Sequence, residues 1–361
     1  MTDSILTTAD LTSLGINTEN AERICLIAQN IVDSESMMAG WREICDSLIT
    51  PEVDFIAHQL IHNTIFGAWD HSLGPRPTWV PSEDEIEKSN VFSLTTDHSF
   101  SNFQKRTVLE PDWFWGEMLN RLKIQVNNRT PITNTLAHPE VDVWLPRAEL
   151  NIANSCFHGR DPSKPAIIRG THDGEIETIS IGDLLRRSST VAHSIAAMGL
   201  PVGSAIAIDM PMTAESVEIY LGIVLAGSVV VSIADSFSPQ EIATRLEISQ
   251  TAAIFTQDYI IRGDKRIPLY SRVKEASDCI AVVLPAQKEL AIELIDDDLS
   301  WDSFLKKGHS GKFQPCLSKA STTTNILFSS GTTGTPKAIP WTQLTPIKAA
   351  ADGWAHHDIH E

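Results

Sequence analysis

Cysteine and positive charge are both in short supply in this sequence of 361 residues. The five cysteines (Cys25, Cys45, Cys156, Cys279, Cys316) are scattered with no Cys-x-x-Cys pair. That fits buried free thiols in a reducing compartment rather than a disulfide framework. Lys and Arg number 28 against 46 Asp and Glu, a net charge of −18, which disfavours nucleic acid or an anionic membrane as partner. Residues 1–100 hold sixteen acids and four bases, so −12 of the −18 lies there, as a solvated acidic surface. Long hydrophobic runs are also missing. The longest, Leu221–Ala234, is too short to span a bilayer and contains two glycines. The opening Met1-Thr2-Asp3-Ser4 lacks the basic and apolar regions of a secretory signal. The closing Ile359-His360-Glu361 is not a peroxisomal tripeptide of the Ser-Lys-Leu type.

What is present is a loop. Residues 326–337 read Ile-Leu-Phe-Ser-Ser-Gly-Thr-Thr-Gly-Thr-Pro-Lys, an apolar strand running into hydroxyls and glycines that close on one lysine. Gly331 and Gly334 permit close backbone approach, and backbone N–H groups can then converge as an anion nest. Ser329, Ser330, Thr332 and Thr333 add hydroxyl donors, and Lys337 adds a point charge. The pattern suits a polyphosphate. It is not a Walker loop: counted from Gly331, Pro336 replaces the second glycine and Ala338 the metal-binding Ser/Thr.

The length allows two or three domains. Residues 1–70 read as helical, with an apolar stripe at Ile24, Ile27, Ala28 and Ile31. Thr50-Pro51 reads as a helix start, followed by Phe55, Leu60, Ile61 and Ile65. A Pro/Gly/acidic stretch near 71–90 reads as a linker or partly ordered arm. From Pro165 the pattern becomes α/β. Ala166–Arg169, Ala205–Asp209, Val229–Ile233, Ala252–Thr256 and Ile280–Leu284 read as strands. Helices run from Ser180 to Met198, Ala214 to Ala226 and Ser238 to Ser249. The expected fold is α/β, parallel sheet with helices on both faces, preceded by a mostly helical region. In such sheets ligands bind beyond the carboxyl ends of strands, where the Ser/Gly loop lies.

From Ser329 to Lys337 the loop resembles the signature of the adenylate-forming superfamily, [ST]-S-G-[ST]-T-G-x-P-K-G, departing only at Ala338. Pro111–Trp115, Asn151–Phe157, Thr178–Leu185, Asp209–Met212, Ile219–Gly227, Phe237–Pro239 and Ile261–Leu269 are similar to segments of acetyl-CoA synthetases. The likeness covers roughly 105–361 and is nearest to plant peroxisomal acyl-activating enzymes, which carry an extra N-terminal helical region. It implies an incomplete adenylate-forming N-terminal domain over 105–361 after an acidic helical extension over 1–100. It implies an ATP-dependent carboxylate–CoA ligase: a small carboxylic acid attacks the α-phosphorus of Mg²⁺-bound ATP, and coenzyme A displaces AMP. By resemblance Ser329, Ser330, Gly331, Thr332, Thr333, Gly334 and Lys337 hold the β/γ-phosphates. Arg262 and Lys265, with Arg266 adjacent, hold the 3′-phosphate of coenzyme A, and Asp235-Ser236 stand where the family has Gly-Gly. Adenine- and ribose-binding residues and a lid with the catalytic lysine are expected beyond Glu361. The chain therefore reads as an N-terminal fragment, inactive alone, with no catalytic or metal-binding residue of its own. The resemblance implies a peroxisomal enzyme; cytoplasm is the alternative for this chain. Two other readings stay open: a non-catalytic interaction chain, and an adenylate-forming enzyme with another acceptor.

Other clusters read as structural. His58 and His62 share a helix face but lack the glutamate of a zinc-protease motif. His356, His357 and His360 read as the exposed first turns of a helix. Asp296-Asp297-Asp298 reads as an acid cluster opening a helix. Trp113 and Trp115 read as packing anchors.

Overall fold

The computed structural model describes residues 6–95, 97, 99–134, 143–170, 174–295, 297–330 and 334–360. Chain contacts divide it into two compact units, Met1–Phe100 with His360–Glu361, and Ser101–Ile359. No helix among the described residues is long and apolar enough to cross a membrane.

The first unit is helical: α1 (Thr8–Ser13), α2 (Thr18–Gln29), α3 (Ser34–Glu43), α4 (Phe55–Ile65) and α5 (Glu83–Lys88). Side chains of Thr7, Asn17, Asp33, Asp54 and Ser82 cap their first N–H groups. Leu11, Ile24, Ile44, Ile61, Ile65 and Phe66 fill the core. Thr50-Pro51 does not start α4. Ile44–Leu48 is a π turn, Val53 N–H closes a turn on the Thr50 carbonyl, and Asp54 caps by accepting from Ile56 N–H at 2.8 Å. The Gly/Pro segment after α4 is stitched down: Trp69 Nε1 donates to the Gly74 carbonyl and Trp41 Nε1 to that of Thr78, both at 3.0 Å. His62 packs, half-buried, against the Trp41 and Phe66 rings.

The second unit contains α6 (Phe100–Leu109), α7 (Pro111–Arg121), α8 (Ile152–Ser155), α9 (Ile181–Ala197), α10 (Ala214–Leu225), α11 (Pro239–Ser249), α12 (Leu269–Ala276), α13 (Trp301–Leu305) and α14 (Thr345–His356). Four small strand groups flank the main sheet. They are β1 (Val126–Asn127) with β4 (Glu149–Leu150) and β14 (Ser318–Lys319), β2 (Thr133–Asn134) with β3 (Val143–Trp144), β5 (Pro165–Gly170) with β6 (Ile176–Ser180), and β10 (Ile260–Arg262) with β11 (Lys265–Ile267). The main sheet takes β7 (Ala205–Asp209), β8 (Val229–Ile233), β9 (Ala253–Gln257), β12 (Ile280–Leu284), β13 (Leu299–Ser300), β15 (Thr323–Ser329) and β16 (Lys337–Thr342). Their order is β13-β12-β9-β7-β8-β15-β16, and every pair is parallel except β15–β16.

The strands are apolar on both faces because both are covered. Ile206, Ile208, Val230 and Phe255 join the cluster with Val191 of α9 and Ile223 of α10. Ala205, Ala207, Val231 and Ile254 join that with Ile242 of α11 and Val273 of α12. α9 and α10 approach so closely that a Cβ on Gly222 would lie 2.5 Å from Val191 Cγ1. Buried Gln343 ties the start of α14 to the small sheet: its Oε1 accepts from Ile152 N–H at 2.8 Å, and its Nε2 donates to Ser318 Oγ at 2.8 Å.

The chain does not go from the Ser/Gly loop straight into a helix. It turns back as β16, antiparallel to β15, and only then enters α14. Pro340 is tolerated because β16 is the sheet's edge. His356 accordingly ends α14 rather than opening a helix. The acid cluster is also corrected: Ser300 caps α13, while buried Asp298 accepts from Tyr270 Oη and Ala281 N–H at 2.8 Å and pairs with Lys274 at 3.2 Å. Asp296 lies outside the described residues. Trp115 packs edge-on against Trp144, and Trp113 lies under Arg106.

Candidate functional site

The Ser/Gly loop connects the only antiparallel pair of the main sheet. Ser329 ends β15, Lys337 begins β16, and the two are register partners. The hairpin thus brings the loop's first hydroxyl and its lysine opposite each other. Ser330, Gly334, Thr335 and Lys337 are exposed. Gly334 has φ +85°, a left-handed conformation that a residue with a Cβ adopts only under strain. Gly331, Thr332 and Thr333 lie outside the described residues.

Beside the loop an open cleft of about 350 Å³ is lined by Ser330, Gly334, Thr335 and Pro336, and across from them by Gln240, Glu241, Thr244 and Arg245 of α11. Arg245 is a residue that motif reading missed. The available signal was a cation falling within the buried stripe of Ile242 and Leu246 at helical spacing. A larger cleft of about 1060 Å³ opens beyond β9 and β12, lined by Gln257, Leu284 and Trp301 among others, but contains no loop residue. The chemistry argues for the smaller one.

The coenzyme A candidates fall on the β10–β11 hairpin. Arg262 and Lys265 are cross-strand partners, so they share a face. Arg266 is the partner of Ile261, and its guanidinium lies 3.6 Å from the centre of the Tyr259 ring. The structure therefore brings Arg262 and Lys265 together and sends Arg266 elsewhere. Arg262 Nη2 donates to Asp235 Oδ1 at 2.5 Å, so this carboxylate is the arginine's counter-charge.

Behind Asp235 sits Asp209, at the carboxyl end of central strand β7. It is fully buried, and neither carboxylate oxygen has a hydrogen-bond partner among the described residues. Burial, and then the charge of Asp235, push its pKa up to about 7, opposed by Arg272. Sequence reading placed Asp209 at the end of a strand and at the start of the Asp209–Met212 segment, with no functional role.

Residues 157–360 match the family described as AMP-binding enzyme. Residues 3–67 match a domain described as "Probable acyl-activating enzyme 17/18, SAM domain". The chain is 40% identical to the hexanoyl-CoA synthase of Cannabis sativa, over 99% of this chain and 54% of that protein. It is 38% identical to "Probable acyl-activating enzyme 17, peroxisomal" of Arabidopsis thaliana, over 98% of this chain and 53% of that protein. The chain thus spans about half the length of the curated relatives it matches. Among solved structures, the acetoacetyl-CoA synthetase of Streptomyces lividans aligns with a TM-score of 0.71 at 21% identity, over 79% of this chain and 46% of that one. That likeness is one of fold.

Proposed function

The chain belongs to the AMP-binding enzyme family, and from that premise we propose that it serves an ATP-dependent carboxylate–CoA ligase. The observation that carries this reading is the β15–β16 hairpin loop, which sets Ser329 opposite Lys337 and leaves Ser330, Thr335 and Lys337 open to solvent. Ser329, Ser330, Gly331, Thr332, Thr333, Gly334 and Lys337 are assigned to the β/γ-phosphates of ATP. Donors fixed before the reaction stabilise charge where the leaving pyrophosphate develops it. Arg262 and Lys265 are assigned to the 3′-phosphate of coenzyme A, with Asp235 as a competing partner of Arg262. Arg266 supports the hairpin through Tyr259. Mg²⁺ enters as the ion carried on ATP. A medium-chain acid is the substrate class we favour, because the hexanoyl-CoA synthase is similar over nearly the whole chain. The peroxisome is the compartment we favour, on the name of the Arabidopsis relative. Residues 1–100 are read as a separate helical extension, and 105–361 as the adenylate-forming part.

The test is label exchange between pyrophosphate and ATP, with hexanoate, acetate and an aromatic acid, in the enzyme that carries these residues. Exchange should require a carboxylate, and Lys337→Ala should lower it by about two orders of magnitude, as for loss of one preorganised charge contact. Exchange untouched by Lys337→Ala would remove the loop from the site. In the same preparation Arg262→Ala should raise the KM for coenzyme A, leave exchange alone and abolish discrimination against dephospho-coenzyme A. Unchanged discrimination would remove Arg262.

A further inference from the structure

We propose that the first unit is a recognition module, and that the cleft along α4 takes a basic, proline-rich segment of a partner protein. The inference is independent of the phosphate-loop reading. The chain already carries a segment of this chemistry, Gly74-Pro75-Arg76-Pro77-Thr78, which takes no helix or strand and is pinned to side chains of α3 and α4. Proline has no N–H, so such a segment is caught through its carbonyls, and the surface beneath must supply donors. Three aromatic side chains do so. Trp69 Nε1 donates to the Gly74 carbonyl at 3.0 Å and Trp41 Nε1 to that of Thr78 at 3.0 Å. His62 Nε2 lies 3.1 Å from the Pro77 carbonyl, and since a carbonyl only accepts, this ring nitrogen is the donor. Between the two prolines, Arg76 Nη1 reaches Asn63 Oδ1 at 3.4 Å.

The surface continues past the end of this segment. From Trp41, His62 and Thr78 an open cleft of about 590 Å³ runs back past His58 and Gln59 to Phe55 at the start of α4. Phe55, Gln59 and His62 recur at helical spacing, so they line one stripe of that helix. Phe55 is 74% exposed, an aromatic face open to a ligand. Among the described residues the side chains of His58 and Gln59 make no hydrogen bond, so an imidazole and an amide remain for further carbonyls. Aromatic-lined grooves hold proline-rich strands in this way, because the restricted backbone loses little entropy on binding. Charge selects the basic kind. Exposed Glu52 and Asp54 alternate with the lining residues Pro51, Val53 and Phe55, and residues 1–100 hold sixteen acids against four bases. Arg or Lys between prolines is complementary to that field, and an acidic peptide is repelled by it.

The experiment titrates a fluorescein-labelled peptide of alternating proline and arginine into the 361-residue chain, read by anisotropy and by the indole ¹⁵N–¹H signals. Two control peptides carry glycine for proline and glutamate for arginine. Saturable binding is expected for the first peptide alone, with a shift of the Trp41 indole signal, which is identified by its loss in Trp41→Phe. Phe55→Ala and Gln59→Ala change exposed side chains, so each should weaken binding about fivefold or more and leave the thermal transition in place. No binding, equal binding of either control peptide, or wild-type affinity in both variants overturns the proposal. Self-association of the chain that Phe55→Ala abolishes, with no peptide bound, would give the cleft to a second copy and overturns it equally.

Discussion

Asp209 makes the sharpest residue-scale test of the packing described here. Its folded pKa, about 7, stands above the usual 3.8 because burial disfavours the charged form. The sign follows directly. An acid with a raised folded pKa supports folding fully below its unfolded value, and that support is lost as pH rises through the folded value. Stability should therefore fall between about pH 4 and 7, by up to about 4 kcal/mol at 1.36 kcal/mol per unit. Asp209→Asn should flatten that slope and raise the thermal transition at pH 8, measured by calorimetry across pH. Identical slopes in both proteins would contradict the buried, unpartnered carboxylate. Residues such as Asp209, Arg245 and Asp298 were not legible as special from sequence, because their character comes from partners far along the chain. Asp298 acquires Tyr270 and Lys274, Arg245 acquires Phe328, and Asp235 acquires Arg262. Ser329 to Lys337 stand out in the sequence because the loop carries its own chemistry within nine consecutive positions.

At the scale of elements, α9 and α10 are held together by the absence of a side chain. Gly222→Ala would drive a Cβ into Val191, with Cγ1 at 2.5 Å and Cβ at 2.7 Å. Overpacking of this kind costs about 1–3 kcal/mol. The denaturation midpoint of Gly222→Ala should drop accordingly, and Val191→Ala in the same chain should recover part of the loss. A midpoint unchanged by Gly222→Ala would mean that the two helices do not approach as described. Strands such as Ala205–Asp209, Val229–Ile233 and Ile280–Leu284 were readable to the residue, because each is a five-residue run bounded by breakers and buried on both faces. The helix through Ser180 was readable from its cap. β16 was not. Lys337-Ala338-Ile339-Pro340-Trp341-Thr342 contains a proline and no clean alternation, and only its position at the sheet edge makes it a strand. The β10–β11 hairpin is likewise invisible to periodicity, since three-residue strands leave almost no periodic signal.

For the molecule as a whole, the two units divide near residue 100, and most of the acidic surplus lies in the first. The second unit carries the family match and the phosphate loop. We propose that ATP is held through this loop, at the turn where β15 hands over to β16. Backbone hydrogen exchange of the 361-residue chain with and without Mg²⁺-bound ATP tests it directly. Protection is expected at 329–337 and at the face of α11 around Arg245, with the helices of the first unit unaffected. ATP binding that protects other segments and leaves 329–337 exchanging as in the free chain would contradict the account.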